Sequence, residues 1–127
     1  MTLLEECIEV LKNNIYILPG DEQENIEEIF FDTIPFTNWG RVDWSRIKNK
    51  KDIKSIEELS EINNDEEFYI IWSDADLPII KSNANAIFSN LDDITAVSFD
   101  TWLFSIDRKL IIEFYHDGDT TIGLTYN

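Results

Sequence analysis

Apolar and polar residues alternate along the last third of the chain, a pattern typical of half-buried β-strands. Three runs of alternate apolar positions each define one face of a predicted strand: Val97, Phe99 and Leu103; Leu110, Ile112 and Phe114; and Ile122, Leu124 and Tyr126. A two-residue turn at Asp107-Arg108 and a three-residue loop at 117–119 join the strands. Because directly opposed residues of antiparallel strands point to the same side, these turns pair Leu103 with Ile112 and Ile112 with Leu124. The pattern predicts a three-stranded meander.

Helical spacing of apolar residues marks several segments outside the meander. Thr2 and Glu5 form a T-x-x-E capping box at the start of a first helix, which we expect to end near Asn13. The other predicted helices are an acidic one from Asp21, a brief one from Ser55 to Ile62, and one capped by Ser82 with apolar residues up to Leu91. Two runs rich in β-branched and aromatic residues, IYIL before Pro19 and EFYIIWS from Glu67, predict strands.

These elements predict an α+β fold. We expect an antiparallel sheet made of the C-terminal three-stranded meander plus one or two further strands, with helices packed mainly on one face. The run TIPFTNWGRVDW, residues 33–44, is expected to form a loop, with a short edge strand as the alternative, because proline and glycine interrupt it. A chain of 127 residues can bury a core of its own, so we expect a single domain over residues 1–127.

The second face of the meander combines acidic with aromatic residues. By the same registers, Asp100 lies opposite Tyr115. Trp102 lies opposite Glu113. Trp and Tyr contribute much of the binding energy of protein interfaces, so this face is a candidate binding surface. The alternative is that a helix covers it, because the face also carries large apolar residues.

The chain is strongly acidic. Its 26 acidic and 10 basic residues give a formal net charge of −16 at pH 7. Such a field repels nucleic acids and anionic lipids and attracts basic proteins, so we expect no direct nucleic-acid binding. Six of the ten basic residues lie in the run RVDWSRIKNKKDIK, from Arg41 to Lys54. We interpret this run as a solvated connection, with a dedicated anion site as the alternative.

Cysteine usage and hydropathy indicate the compartment. Cys7 is the sole cysteine, which excludes an internal disulfide and suits a reducing environment. The opening MTLLEECIEV carries acidic residues, unlike a secretory signal. No apolar run approaches the roughly 18 residues that a membrane span requires. The expectation is a cytoplasmic protein without a membrane partner.

Sequence motifs for catalysis are absent: the chain has no G-x-S-x-G, no G-x-x-x-x-G-K-[ST], no G-x-G-x-x-G and no histidine-cysteine cluster for zinc. His116, the only histidine, is predicted to face the core opposite Phe99 and to be structural, because acid-base catalysis needs an oriented partner. We predict no enzymatic activity, no cofactor and no metal. The alternative is a small metal-dependent hydrolase that uses Asp74, Asp76 and His116.

Three stretches of the C-terminal half carry a family resemblance: WSDADLP, IFSNLDDITAVSFDTW and IIEFYHDGDTTIG. The segment that contains them, Phe68 to Tyr126, resembles immunity proteins of bacterial contact-dependent growth inhibition systems. The resemblance implies a cytoplasmic protein that binds and blocks the C-terminal toxin domain delivered by a sister cell, often a nuclease. Immunity proteins vary widely at their contact surfaces, so the resemblance assigns no binding residues to this chain.

Electrostatics indicates which residues would meet such a toxin. A nuclease carries a basic groove for phosphates, and an acidic inhibitor is steered into that groove. We therefore expect carboxylates around the meander and at the preceding turn to bind the partner, with Trp102 or Tyr115 as an anchor. The predicted partner-binding residues are Asp92, Asp93, Asp100, Trp102, Glu113, Tyr115, Asp117 and Asp119. The alternative function is an acidic nucleic-acid mimic or adaptor that inhibits basic proteins generally.

Overall fold

The computed structural model describes residues 1–125. Within that range four α-helices accompany a seven-stranded antiparallel sheet, which confirms the predicted α+β fold, but the sheet has four strands beyond the meander where one or two were predicted. The helices are α1 (Leu3–Leu11), α2 (Gly20–Thr33), α3 (Ala84–Ser89) and α4 (Leu91–Thr95). The strands are β1 (Tyr16–Ile17), β2 (Lys50–Ile53), β3 (Glu67–Trp72), β4 (Ile80–Asn83), β5 (Thr101–Ser105), β6 (Leu110–Phe114) and β7 (Thr120–Leu124). Their order across the sheet is β1-β4-β3-β5-β6-β7-β2.

Local signals account for the helix boundaries. The predicted capping box is present, with the Glu5 amide donating to Thr2 Oγ1 at 3.1 Å and the Thr2 amide donating to Glu5 Oε1 at 3.0 Å. Helix α1 ends at Leu11, earlier than predicted, and a 3₁₀ turn follows. Helix α2 ends immediately before Ile34, because a residue that precedes proline prefers an extended backbone. The capping box at Ser55 is also present, but it opens only a 3₁₀ helix over Ile56–Leu59.

Strand β2 lies in the basic run, where a solvated connection was predicted. That prediction is wrong for Lys50–Ile53, because all four residues pair with β7 at the edge of the sheet. The first three residues of the strand are charged, and all three are exposed. The strand therefore lacks the alternation of apolar and polar positions that would have indicated it in the sequence.

Strand β4 replaces the predicted start of a helix at Ser82. Ser82 pairs with Phe68 of β3, and its hydroxyl donates to the Asn14 carbonyl. Asn83 is the N-cap of α3 instead, since its Oδ1 accepts from the Ala86 amide at 2.8 Å. The cap prediction failed by one residue because Ser and Asn are both strong N-cap residues.

The registers of the meander test the two predicted turns. Leu103 pairs with Ile112 as predicted, but Ile112 pairs with Ile122 and not with Leu124. The loop between β6 and β7 is closed by a 2.9 Å bond from the Tyr115 amide to the Asp119 carbonyl, so it comprises 116–118.

Gly118 explains the shift of this loop. It occupies the third loop position with a φ of 99°, the left-handed conformation that a three-residue hairpin loop requires there. A shift of two residues in register leaves every side chain on its predicted face. The predicted place of Tyr126 on the same face lies outside the described residues.

Helices cover both faces of the sheet. Helices α1, α3 and α4 pack on one face, where the buried residues include Leu11, Phe68, Ile70, Ile80, Ile87, Ile94, Leu103 and Ile112. Helix α2 and the segment 34–47 pack on the other face, where they include Ile26, Phe30, Ile34, Val42, Ile71, Trp102, Phe104 and Ile111. Three of the four described helices thus lie on one face of the sheet, in agreement with the prediction. Helix α2 covers the other face, which carries the acidic and aromatic residues.

We expect the Cys7 thiol to be unreactive in the folded protein. The residue is fully buried in α1, and burial, together with the negative charge of Asp93, raises the pKa of its thiol to about 11. A rise of about two pH units lowers the thiolate fraction at pH 8 roughly 100-fold, apart from the added effect of restricted access. A chromogenic thiol reagent should therefore label native protein at least about 100-fold more slowly than protein in guanidinium chloride. Equal rates would contradict this placement.

Candidate partner-binding surface

One end of the sheet gathers half of the predicted binding residues. The pairs Trp72–Thr101, Thr101–Phe114 and Phe114–Thr120 place the end of β3, the start of β5, the end of β6 and the start of β7 together. The connecting segments 73–79, 96–100 and 115–119 therefore meet there, and we call this region the acidic end. Its acidic residues are Asp74, Asp76, Asp100, Asp117 and Asp119.

The eight predicted binding residues differ in exposure. Asp92, in the first turn of α4, is exposed, as are Asp117 and Asp119. Asp93 and Tyr115 are half-buried. The remaining three are buried, with exposed fractions of 8% for Asp100, 5% for Trp102 and 0% for Glu113. The three buried residues, Asp100, Trp102 and Glu113, support the surface from beneath. The other five residues are exposed or half-buried, so they are available to a partner.

Glu113 is the centre of a buried polar cluster. Its Oε1 accepts from Arg41 Nε at 3.2 Å and from Trp44 Nε1 at 2.9 Å. Its Oε2 accepts from the Val42 amide at 2.8 Å and from Trp102 Nε1 at 3.1 Å. We call these five residues the Glu113 cluster. A buried carboxylate is tolerated only when it is paired and hydrogen-bonded, and here four donors meet that requirement.

Gly123 allows the loop that carries Arg41, Val42 and Trp44 to approach the sheet. The ring of Trp44 lies so close that a Cβ at Gly123 would be 2.7 Å from Trp44 Cζ3. The same Cβ would be 3.2 Å from the Asn49 carbonyl oxygen. Glycine is therefore needed at this position so that the loop can reach Glu113.

Arg41 connects the Glu113 cluster to the 115–119 loop. Its Nη2 lies 3.6 Å from Asp119 Oδ2, and its guanidinium carbon lies 4.3 Å from the centre of the Tyr115 ring. Burial disfavours the charge on Arg41, but the hydrogen bond and charge of Glu113, with Asp117 and Asp119 nearby, raise its pKa above the ordinary value. Arg41 therefore stays cationic and orders the loop by ionic and cation–π contacts.

His116 does not face the core, so that prediction is wrong. Its side chain is 52% exposed, and its Nδ1 lies 3.0 Å from Asp100 Oδ1. The His116 amide donates to the same oxygen at 2.8 Å, while the Asp100 amide donates to Ser73 Oγ at 3.1 Å. The register shift at Gly118 explains the difference, because it places His116 inside the loop and not on a strand. Asp100 thereby links all three segments of the acidic end.

Three exposed aromatic residues border this end of the molecule. Phe99 is 84% exposed, Trp39 is 74% exposed and Phe31 is 59% exposed. Phe31 and Trp39 line a cleft of about 430 Å³ together with residues of the 73–79 segment. These residues were not among the predicted binding residues. The run TNWGR contains the signal that could have indicated Trp39, because a tryptophan between turn-forming polar residues and glycine has no apolar neighbours to pack against.

Residues 1–125 contain no group of three or more histidine, cysteine and acidic side chains that could hold a metal ion. Asp74 is one of the residues that the alternative metal-dependent hydrolase would use. Its Oδ1 accepts a hydrogen bond from the Asp76 amide at 2.9 Å, a contact within the same turn. In the same residue range, no helix has both the length and the apolar character needed to cross a membrane.

An α+β scaffold that displays carboxylates and aromatic rings at one end has the side chains typical of a protein that binds another protein. Residues 1–123 match the protein family described as CdiI immunity protein EcoliA0-like. The chain therefore belongs to this family of immunity proteins of contact-dependent growth inhibition systems, which neutralise toxins in competition between bacteria. No curated protein matches the sequence.

Replacing Glu113 by alanine should strongly destabilise the protein. The change leaves two indole N–H groups, one backbone amide and a partly buried guanidinium without their acceptor. We expect a loss of about 3–5 kcal/mol in the free energy of unfolding, measured by urea titration. Glu67→Ala, at an exposed position on β3, should change it by less than about 0.5 kcal/mol. Similar unfolding curves for the two variants would contradict the role of the Glu113 cluster.

Proposed function

We propose that this protein acts in the cytoplasm as a single domain and neutralises a basic toxin domain that cleaves nucleic acid. Membership of the immunity family supports the toxin as partner. The nature of the toxin is inferred from one observation, the formal net charge of −16. A nuclease needs a cationic groove to hold its phosphate-rich substrate, and a surface of carboxylates is complementary to such a groove.

The proposed contact residues are the acids of the 115–119 loop, which belongs to the acidic end, and those of the first turn of α4, which precedes the 96–100 segment. Asp117 and Asp119 lie in the 115–119 loop, and Asp92 and Asp93 lie in the first turn of α4. Charge interactions are screened over about 8 Å at physiological ionic strength. Acids at the contact surface therefore steer the toxin more effectively than acids elsewhere, although the whole molecule contributes to the long-range attraction.

Asp100, Trp102 and Glu113 act indirectly in this proposal. Asp100 fixes the three connecting segments, and Glu113 with Trp102 holds the loop that carries Arg41. A preorganised surface loses less conformational entropy on binding, which favours tight association. Once bound, the remaining negative charge of the immunity protein also repels the nucleic-acid substrate from the complex.

Reversing four acids to lysine tests the proposed surface. A variant with Asp92, Asp93, Asp117 and Asp119 replaced by lysine should bind the toxin domain encoded immediately upstream at least about tenfold more slowly in low salt. The salt dependence of its association rate should also be weaker, because fewer charges contribute to steering. Stopped-flow fluorescence over a range of salt concentrations measures both quantities.

A matched variant distinguishes the effect of where the reversed charges lie from the effect of how many are reversed. Glu61, Asp65, Glu67 and Asp107 are exposed acids outside the acidic end, and their reversal changes the net charge equally. We expect this control to slow association less than the first variant does. Equal slowing would remove the acidic end from its proposed role. Failure of the wild-type protein to bind the toxin, or binding to many unrelated basic proteins, would overturn the proposed function.

A further inference from the structure

We infer that the cleft beside Trp39 receives a lysine or arginine side chain of the toxin and is the anchor point of the interface. This inference rests on the proposed function and adds the place and chemistry of the main contact. The cleft has a volume of about 430 Å³, and Trp39, which lines it, is 74% exposed. Pockets of this size occur at binding sites for ligands larger than a few atoms.

Trp39 is displayed by a rigid turn. The Thr37 amide donates to the Arg41 carbonyl at 2.7 Å, and the Arg41 amide donates to Thr37 Oγ1 at 3.1 Å. Gly40 adopts a φ of 87°, a conformation that glycine enters without strain. Arg41 and Val42 are in turn held by Glu113. A tryptophan that is 74% exposed on an ordered turn loses little entropy on binding, which is the property of an interface anchor.

The opposite walls of the cleft are also ordered. Gln23 of α2 accepts from the Ile79 amide at 3.2 Å, which ties the helix to the 73–79 segment. Within that segment the Leu77 amide donates to the Asp74 carbonyl at 3.1 Å. The cleft is therefore formed before a partner arrives.

The lining of the cleft favours a long cationic side chain. Ile71, Leu77 and Ile79 provide apolar contacts, while Glu27 and Asp74 supply carboxylates. None of the residues that line it in the described part of the chain is basic. Lysine and arginine have an apolar stem and a charged head, so they match both parts, and the indole of Trp39 adds a cation–π contact.

A neighbouring depression provides a contrast. It lies on the other side of Phe31 and is lined by Asp32 and Arg46, among others. The positive charge of Arg46 opposes entry of a second cation there. Charge complementarity therefore assigns the basic side chain to the Trp39 cleft.

Calorimetry of the full-length protein with the toxin domain encoded immediately upstream tests the inference. Trp39→Ala should weaken binding about 30-fold or more, the effect typical of a central interface tryptophan. Glu27→Gln combined with Asp74→Asn should weaken it about tenfold, because the cation loses its carboxylates. Ile106→Ala removes a partly exposed apolar side chain on the β5–β6 turn, at the opposite end of the sheet, and should leave affinity within about twofold.

The outcomes distinguish the inference from the function on which it rests. Wild-type affinity in Trp39→Ala, with normal binding by the parent protein, overturns the anchor and leaves the immunity function intact. A loss in Trp39→Ala without a loss in the Glu27→Gln/Asp74→Asn variant overturns the basic occupant in favour of an apolar one. Absence of toxin binding by the wild-type protein overturns both proposals.

A spectroscopic measurement shows whether Trp39 itself is covered. The protein is labelled with 5-fluorotryptophan, and the Trp39 resonance is assigned with Trp39→Phe. Its solvent isotope shift should be large in the free protein, because Trp39 is 74% exposed, and should fall when unlabelled toxin is added. Trp72 and Trp102, each 5% exposed, should show small shifts in both states. An unchanged Trp39 shift in the complex would contradict burial in the interface.

Discussion

The organisation of the acidic end depends on one buried carboxylate. Glu113 has no exposed surface, and its two oxygens accept from four donors, three of which lie about 70 residues earlier in the chain. An unpaired carboxylate in this interior would be destabilising by several kcal/mol. The strand β6 and the loop that carries Arg41 and Trp44 are therefore ordered together. Through that loop, Glu113 determines where Trp39 and the 115–119 segment lie.

Features of the fold that depend on neighbouring residues in the chain were predictable from the sequence. Strands β5 and β6 each carry core-facing apolar residues at alternate positions, so the pairing of Leu103 with Ile112 followed from a two-residue turn. The pairing of β6 with β7 was misplaced by two residues because the loop was assumed to begin at Asp117. The backbone requirement of Gly118 sets the true loop, and the periodicity of the side chains cannot detect an even shift.

Contacts between distant segments were not predictable in the same way. The pairing of Trp102 with Glu113 was predicted correctly, because the register of β5 and β6 alone determines it. The burial of Trp102 and Glu113 depends on α2 and the 34–47 segment, whose approach no local pattern encodes. The exposed position of Trp39 is fixed by how the loop binds to Glu113, and the sequence carries only a local indication of it, in the turn-forming residues around the tryptophan.

The basic edge strand has a consequence for the behaviour of the molecule at high concentration. Strand β2 closes one side of the sheet with three successive exposed charged residues, Lys50, Lys51 and Asp52, and Lys51 forms an ion pair with Glu58 at 3.2 Å. An incoming strand from another copy would have to desolvate these charges and place lysine near lysine. The β2 edge therefore opposes edge-to-edge pairing between copies and amyloid-like stacking.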